Sequence, residues 1–210
     1  MKIIFLGAPG AGKGTQSDIA SEKLGIPTIS TGAIIREAVS CGSELGMKAK
    51  KNIEEGKLVP DDVVIGIIKE RLQKSDCQNG FILDGFPRTV PQAIALDEMG
   101  IRLDKVVSIE VPDEVIVERM SGRRVCAVCG ATYHILHNPS KDPSKCDKCG
   151  GELTVRRDDA PEVVLSRLNI YHDVTEPLKD FYAKLGELEL VDGVGDVDEV
   201  SARTIKALEV

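Results

Sequence analysis

The sequence has 210 residues but no Trp, and Phe, Trp and Tyr together make up only 3% of it. Proteins that bind single-stranded nucleic acid usually stack bases on aromatic side chains, so this composition argues against such a platform. A positive charge balance is also missing, because the formal net charge is −7 at pH 7. Nucleic-acid-binding surfaces are basic, and we therefore expect no nucleic acid partner.

Long apolar runs are absent as well. The first ten residues, MKIIFLGAPG, contain one short apolar stretch, which is too short for a signal peptide, and no other run approaches the length of a membrane span. We therefore expect a cytoplasmic protein that does not contact the membrane. The hydrophobic fraction of 42% and the charged fraction of 29% are typical of a globular protein.

Short apolar runs alternate with segments of helical character. The pattern predicts strands at residues 2–6, 81–84, 105–110 and 188–192 with a weaker one at 27–30, and helices at 13–24, 61–74, 113–121 and 198–210. Such alternation favours a parallel sheet covered by helices on both faces, the α/β class. Two stretches interrupt it: 30–59 is helical and polar, whereas 122–160 has little apolar periodicity and carries two cysteine pairs. The segments 1–29, 60–121 and 161–210 remain for the core.

The segment GAPGAGKGT, residues 7–15, joins the first predicted strand to the first predicted helix. Glycines allow backbone N–H groups to converge on an anion, and the helix N-terminus adds partial positive charge. Lys13 supplies a full charge for the β- and γ-phosphates. The spacing matches a phosphate-binding loop, although Gly14 precedes Thr15 where the general pattern has Ser or Thr directly after the lysine.

The segment FILDGFPR, residues 81–88, predicts a second strand that ends at the same edge of the sheet. Asp84 at its end is suited to Mg²⁺, directly or through water, as in phosphate-loop enzymes. The alternative is that Asp84 caps a helix or a turn. Arg88 follows where ligands gather outside the carboxyl ends of strands.

The cysteine pairs Cys126-x2-Cys129 and Cys146-x2-Cys149 are separated by a spacing that is typical of a four-cysteine zinc site. Disulfides and unliganded thiols are the alternatives, and four thiolates also suit iron. Four protein ligands leave no open coordination position, so such a metal would be structural. The remaining candidates for a reactive or metal-binding role are Cys41, Cys77, His134 and His137. We expect them to be ordinary core, surface or loop residues.

Several motifs together resemble those of bacterial adenylate kinases. They occur in the family's order along the whole chain: GAPGAGKGTQ, STG with Arg36, DGFPRT with Gln92, GRR at 122–124, and RRDD at 156–159 with Arg167. The resemblance implies a P-loop kinase core with a five-stranded parallel sheet flanked by helices. It also makes 30–59 a helical AMP-binding insert and 122–160 a small zinc-binding lid over ATP. The implied cofactors are structural Zn²⁺ and the Mg²⁺ that accompanies ATP.

The resemblance also implies roles for individual residues. ATP would be bound by Gly10, Ala11, Gly12, Lys13, Gly14, Thr15, Arg123, Thr132, Tyr133 and Gly195. AMP would be bound by Thr31, Arg36, Lys57, Leu58, Val59, Gly85, Phe86, Pro87, Arg88, Gln92, Arg156 and Arg167. The catalytic cations would be Lys13, Arg88, Arg123, Arg156 and Arg167, with magnesium held through water by Asp84. Ala33 is a departure, because many relatives have Asp there, so this chain lacks the carboxylate that the resemblance would place at this position.

The arginines fit this chemistry on physical grounds, because phosphoryl transfer between two polyphosphates needs positioning and charge stabilisation. Asp158 and Asp159 either orient arginines or magnesium-bound waters, or face solvent. Arg119 and Arg123 lie four residues apart and would share a helix face if the helix continued that far.

The expected function is reversible transfer of phosphoryl from Mg-ATP to AMP, giving two ADP, by a cytoplasmic monomer that acts on the small molecules ATP, AMP and ADP. The nearest rival is a kinase that prefers UMP, CMP or GMP as acceptor, or GTP as donor. A rival from another class is a nucleotide-switched zinc module that binds a macromolecule.

Overall fold

The computed structural model describes residues 1–209. In chain order its strands and helices are β1 (Lys2–Leu6), α1 (Lys13–Leu24), β2 (Thr28–Ser30), α2 (Thr31–Ser40), α3 (Glu44–Glu54), α4 (Asp61–Leu72), β3 (Phe81–Asp84), α5 (Val90–Glu98), β4 (Lys105–Glu110), α6 (Asp113–Gly122), β5 (Arg123–Cys126), β6 (Thr132–His134), β7 (Leu153–Thr154), α7 (Pro161–Ile170), α8 (Pro177–Leu185), β8 (Leu188–Asp192) and α9 (Val197–Leu208). Short 3₁₀ turns occupy Ser75–Cys77 and Arg157–Asp159, and a π-helical turn occupies Tyr171–Thr175.

Five strands form the predicted parallel sheet, in the order β2-β3-β1-β4-β8. β1 lies in the middle, where Ile4 is opposite Leu83 of β3 on one side and Val106 of β4 on the other. Every pairing within this sheet is parallel, so the carboxyl ends of the strands meet at one edge. The loop after β1 and Asp84 at the end of β3 are therefore brought together.

The core lies on both faces of the sheet, as continuous apolar strands require. Ile4 and Leu6 of β1 pack into one cluster, with side chains from α4, α5 and α8. Ile3 and Phe5 point to the opposite face, where α1, α6, α7 and α9 cover them. Burial of each such side chain contributes roughly 1.5–3 kcal/mol.

Most predicted boundaries in the core are confirmed. The predicted bounds are confirmed for β1, β3, β4, β8 and α1. Gly25 directly follows α1, as predicted, and its amide donates to Ser21 O at 2.9 Å. α4 ends at Leu72, two residues before the prediction, and α9 begins one residue early at Val197 and ends at Leu208. The predicted end of the last helix, Val210, lies outside the described residues.

The two inserts differ in kind. Residues 30–59 contain the helices α2 and α3, as predicted. Residues 122–160 form an antiparallel sheet, in the order β6-β5-β7, that the sequence did not indicate. Its core consists of Cys126, Tyr133 and Cys146, with Ala131 and Leu153 packed against them. α6 ends at Gly122 and Arg123 begins β5, so the helix does not continue far enough for Arg119 and Arg123 to share a helix face.

Of the helices within residues 1–209, none combines the length with the apolar character that crossing a membrane requires.

Candidate active site

The phosphate-binding loop runs from β1 into the first turn of α1. Gly12, directly before that helix, has φ of 98°, a left-handed conformation that glycine adopts without strain. No side chain caps this end of α1. The first N–H groups of a helix have no intrahelical partner, so the loop and the helix together present donors to an anion.

Lys13 lies inside this loop. Its Nζ donates to Gly7 O and Ala8 O, both at 2.7 Å. Burial lowers the pKa of Lys13 to about 8, although the charge of Asp84 partly opposes that change. A phosphate is a stronger partner for this buried ammonium than its two backbone acceptors are. Its full negative charge stabilises the charged form of Lys13, which burial disfavours.

The ends of β2 and β3 place further polar groups beside the loop. Asp84 accepts from Ser30 Oγ at 3.2 Å, and Thr31 Oγ1 donates to Gly85 O at 2.7 Å. Arg88 Nε also donates to Gly85 O, at 2.9 Å. Asp84 thus lies at the predicted sheet edge with its carboxylate in the cleft, where a hydrated cation can be held.

Several cations converge on the same cleft. Burial lowers the pKa of Arg36 to about 10 and that of Arg167 to about 10, and it also lowers the pKa of Arg88. The positive charge of Arg156 lowers the pKa of all three further. Guanidinium groups are hard to deprotonate, so this crowding creates a strong positive potential that favours a polyanion.

Asp158 and Asp159 are buried among these arginines, which decides between the two sequence-based alternatives. Arg156 Nε donates to Asp158 Oδ1 at 2.8 Å, and Arg123 Nε donates to Asp159 Oδ2 at 2.8 Å. Arg167 Nη1 lies 3.1 Å from Asp158 Oδ2 and 3.5 Å from Asp159 Oδ1. Burial alone would raise the pKa of Asp158, but the arginines around it lower the value to about 2. The carboxylates orient the arginines and do not face solvent.

A large cleft of about 980 Å³ separates the phosphate-binding loop from the second insert. All ten residues expected to bind ATP line it: Gly10, Ala11, Gly12, Lys13, Gly14, Thr15, Arg123, Thr132, Tyr133 and Gly195. They come from three separate parts of the chain, so the fold brings together what the sequence spaces widely.

A smaller cavity adjoins the cleft beside α2 and α4. Most residues expected to bind AMP line it: Thr31, Arg36, Lys57, Leu58, Val59, Gly85, Arg88, Gln92, Arg156 and Arg167. Pro87 lines the larger cleft instead. Phe86 is 0% exposed within the apolar core, so its side chain belongs to the packing of the sheet.

Two contacts in this region were not anticipated. Arg119 lines the large cleft, and its Nη2 donates to Gly193 O at 2.9 Å. The sequence indicated only weakly that Arg119 belongs to the site. Asp61, the first residue of α4, accepts from the side chains of Gln92 and Thr89. An acidic residue in a first turn is usually explained by the helix dipole, so the sequence carried no separate signal for this role.

The four cysteines of the second insert form one cluster. Their Sγ atoms all lie within 4.8 Å of one another, and the pairs Cys126–Cys149 and Cys129–Cys146 are each 3.5 Å apart. Thiolates around tetrahedral Zn²⁺, with Zn–S of about 2.3 Å, are separated by about 3.8 Å. The donor set therefore fits a metal ion of this size.

Backbone groups complete the cluster. The amides of Val128 and Cys129 donate to Cys126 Sγ at 3.4 and 3.5 Å. Gly130 and Gly150 follow the two pairs with φ of 73° and 72°, which allows each turn to fold back on its thiols. Donors aimed at sulfur favour its anionic form, the form that binds metal.

Tyr133 connects this cluster with the cleft. Its side chain is buried, and its hydroxyl lies 3.4 Å from Cys146 Sγ and accepts from the amide of Asp147 at 2.9 Å. The phenol thereby lowers the pKa of Cys146 to about 6. Because the hydroxyl of Tyr133 points to the cysteines, only the other atoms of this residue can face a nucleotide in the cleft.

His134 and His137 stand apart from the thiol cluster, as expected. Nδ1 of His134 accepts from the amides of Leu136 and His137, both at 3.0 Å. The two rings lie 4.5 Å apart, at the cleft.

Comparison with known proteins identifies the family. The family model for adenylate kinase matches residues 5–187. A protein of Archaeoglobus fulgidus named adenylate kinase is 56% identical over 204 residues, covering 95% of this chain and 94% of that protein. Proteins with the same name from Ruminiclostridium cellulolyticum and Carboxydothermus hydrogenoformans are 54% and 52% identical, covering 99% and 100% of both chains. With this agreement in motifs, fold and overall length, the chain belongs to the adenylate kinase family of nucleoside monophosphate kinases.

Proposed function

We propose that this adenylate kinase, which interconverts Mg-ATP plus AMP and two ADP, holds the two nucleotides on opposite sides of one arginine cluster. The donor occupies the cleft between the phosphate-binding loop and residues 122–160, which act as the lid. The acceptor occupies the cavity beside α2 and α4, where residues 30–59 act as its binding insert. The core is then 1–29, 60–121 and 161–210.

The observation that carries this proposal is the arginine cluster between the two cavities. Arg88, Arg156 and Arg167 line both the large cleft and the smaller cavity, whereas Arg123 and Lys13 line only the cleft. A phosphoryl group that passes from one cavity to the other must therefore cross between these cations. Phosphoryl transfer needs such stabilisation of charge and little covalent chemistry from the protein.

Each cation has a separate task in this scheme. Lys13 leaves its backbone acceptors to bind the phosphates next to the transferred group, and Arg88 holds the acceptor phosphate. Arg123, Arg156 and Arg167 surround the group in flight, and the transfer is direct and in line. Asp84 would hold, through water, the Mg²⁺ that accompanies ATP, and that ion would supply neutralisation of phosphate charge.

We further propose that the four thiolates hold structural Zn²⁺. The cysteines form a closed set, and the lid core has only a few apolar side chains besides them. A metal supplies cross-links where a small unit lacks a hydrophobic core. A cytoplasmic monomer that binds small molecules, and neither nucleic acid nor membrane, is the accompanying expectation from the resemblance and the net charge of −7.

A substrate panel tests the function. Initial rates are measured with AMP, GMP, CMP and UMP as acceptors and with ATP or GTP as donor. We expect AMP with ATP to exceed the other acceptors by orders of magnitude in kcat/KM. Comparable turnover of UMP or CMP would instead make the chain a kinase of another monophosphate. ADP formation without any macromolecule argues against a nucleotide-switched binding module.

A further inference from the structure

The side chain of Gln92 lines the acceptor cavity and is only 2% exposed. Its Oε1 accepts from the backbone amide of Arg88 at 2.7 Å, and its Nε2 donates to Asp61 Oδ1 at 2.7 Å. Each end of the amide thus has one short protein partner. One lone pair on the oxygen and one N–H on the nitrogen remain for a ligand.

Asp61 is itself fixed in place. Its second oxygen, Oδ2, accepts from Thr89 Oγ1 at 3.0 Å. The same hydroxyl caps α5 by accepting from the backbone amide of Gln92 at 3.2 Å. Asp61, Thr89 and Gln92 therefore form a closed ring of hydrogen bonds that joins the start of α4 to the start of α5.

This ring permits only one orientation of the Gln92 amide. An ionised carboxylate can only accept hydrogen bonds, and a backbone N–H can only donate them. If the amide rotated by half a turn, its oxygen would face the oxygen of Asp61 and its NH₂ would face the N–H of Arg88. Both hydrogen bonds would be lost, and like groups would be placed in contact.

We propose that Asp61 is a specificity-determining residue, which selects a 6-aminopurine acceptor by fixing the orientation of the Gln92 amide. This inference rests on the proposed function, in which the acceptor base meets Gln92. A 6-aminopurine presents an amino donor beside a ring-nitrogen acceptor, which matches the free lone pair and N–H of the fixed amide. A 6-oxopurine presents an oxygen acceptor beside an N–H donor, which matches only the rotated amide.

With Asn at position 61, whose amide can donate as well as accept, the orientation of the Gln92 amide would be fixed by the Arg88 backbone N–H alone, and a 6-oxopurine would turn the amide more readily. A matched pair of base hydrogen bonds is worth about 10- to 100-fold in discrimination between bases. Gln92 can therefore discriminate strongly only if its rotation is opposed. Asp61 acts on the base through Gln92, so it is a positioning residue.

The test compares Asp61→Asn with Asp62→Asn, using AMP and IMP as acceptors. IMP carries oxygen in place of the 6-amino group and tests the discriminating edge directly. Asp62 is the matched control, since it lies in the same first turn of α4 and is exposed. Both variants lose one carboxylate charge near the same helix N-terminus, and only Asp61 contacts Gln92.

We expect Asp61→Asn to lower the ratio of kcat/KM for AMP to that for IMP by at least about tenfold. The change should appear mainly in KM for the acceptors, because the reacting phosphates are held by other groups. Asp62→Asn should keep the wild-type ratio. Thr89→Val, which removes the hydroxyl that holds Asp61, should lower the ratio in the same direction by a smaller factor.

Three results would overturn the inference or its basis, and they differ from one another. If Asp61→Asn lowers kcat/KM for AMP and IMP equally, Asp61 is merely structural. If Asp61→Asn does not fold, an unchanged ratio in a folded Thr89→Val refutes the proposal. If wild-type protein uses IMP as well as AMP, the proposed reading of the acceptor base by Gln92 fails, whatever Asp61 does.

Discussion

Replacing Lys13 by Met should change how stability depends on pH in the protein without nucleotide. The folded-state pKa of Lys13 is about 8, below the ordinary 10.5, because burial disfavours the ammonium. In the window between these values the unfolded chain holds the proton and the folded chain does not. Stability contributed by this residue must then rise with pH, since the unfolded state binds more protons.

The size of the effect follows from the two values. Taking 1.36 kcal/mol per pKa unit, the penalty from Lys13 is about 3 kcal/mol at pH 7 for pKa values of about 8 and 10.5. At pH 10 the same linkage leaves a penalty of about 1 kcal/mol. Wild type should therefore gain about 2 kcal/mol relative to Lys13→Met between pH 7 and pH 10.

The assay is urea unfolding of both proteins at several pH values, without nucleotide or phosphate. Groups common to the two proteins, including the cysteines, cancel in the difference. Lys50→Met serves as a control, because Lys50 lies on α3 and is exposed. Curves for wild type and Lys13→Met that stay parallel from pH 7 to 10 would refute the idea that the loop stores this electrostatic penalty. A difference that moves in the opposite direction would refute it as well.

The remaining predictions concern the lid and the arginine cluster. Cys129→Ser combined with Cys149→Ser should reduce the amount of bound zinc, measured by elemental analysis, and lower Tm, measured by calorimetry. The variant should keep substantial kcat at about 20 °C, where domains are near maximum stability. A folded, zinc-free variant without activity would show that the metal is catalytic. Arg123→Met should lower kcat by roughly 10³, as loss of comparable transition-state cations does, whereas neighbouring Arg124→Met should change it little. Near-normal turnover in Arg123→Met would remove that arginine from the mechanism. Tyr133→Phe should weaken zinc affinity by roughly 10- to 100-fold in a chelator competition, and equal affinity would show that its phenol does not support the thiolates.

The sheet and the phosphate-binding loop were predictable because their signals are local. β1 and β4 read as continuous apolar runs, since both faces of a parallel strand are buried. Gly12 and Lys13 are consecutive residues of a single turn, so the signal for this loop is contained in one short segment. The four thiols were also predictable, because two turns of fixed length can bring them to one point.

The features that the sequence did not predict depend on contacts between residues that lie far apart in the chain. The strands of the lid have two to four residues, too few for an alternating pattern to be detected. The sequence leaves open whether Asp159 orients another group or faces solvent, and the contact with Arg123, 36 positions away, decides between them. Asp61 reads as an ordinary helix-start residue until Gln92, 31 positions away, donates to it. In both cases a charge is explained by tertiary contact, which overrides its local meaning.

The burial of Asp158 and Asp159 among Arg123, Arg156 and Arg167 has a consequence for nucleotide release under the proposed function. In the absence of phosphate, these arginines already have anionic partners, so binding exchanges one anion for another. The gain in free energy from that exchange is smaller than the gain from filling an unpaired cationic site. A reversible kinase must empty both of its sites in either direction of the reaction. Under the proposed function, the two carboxylates compete with departing phosphates for the same guanidinium groups, and we expect them to favour the release of product.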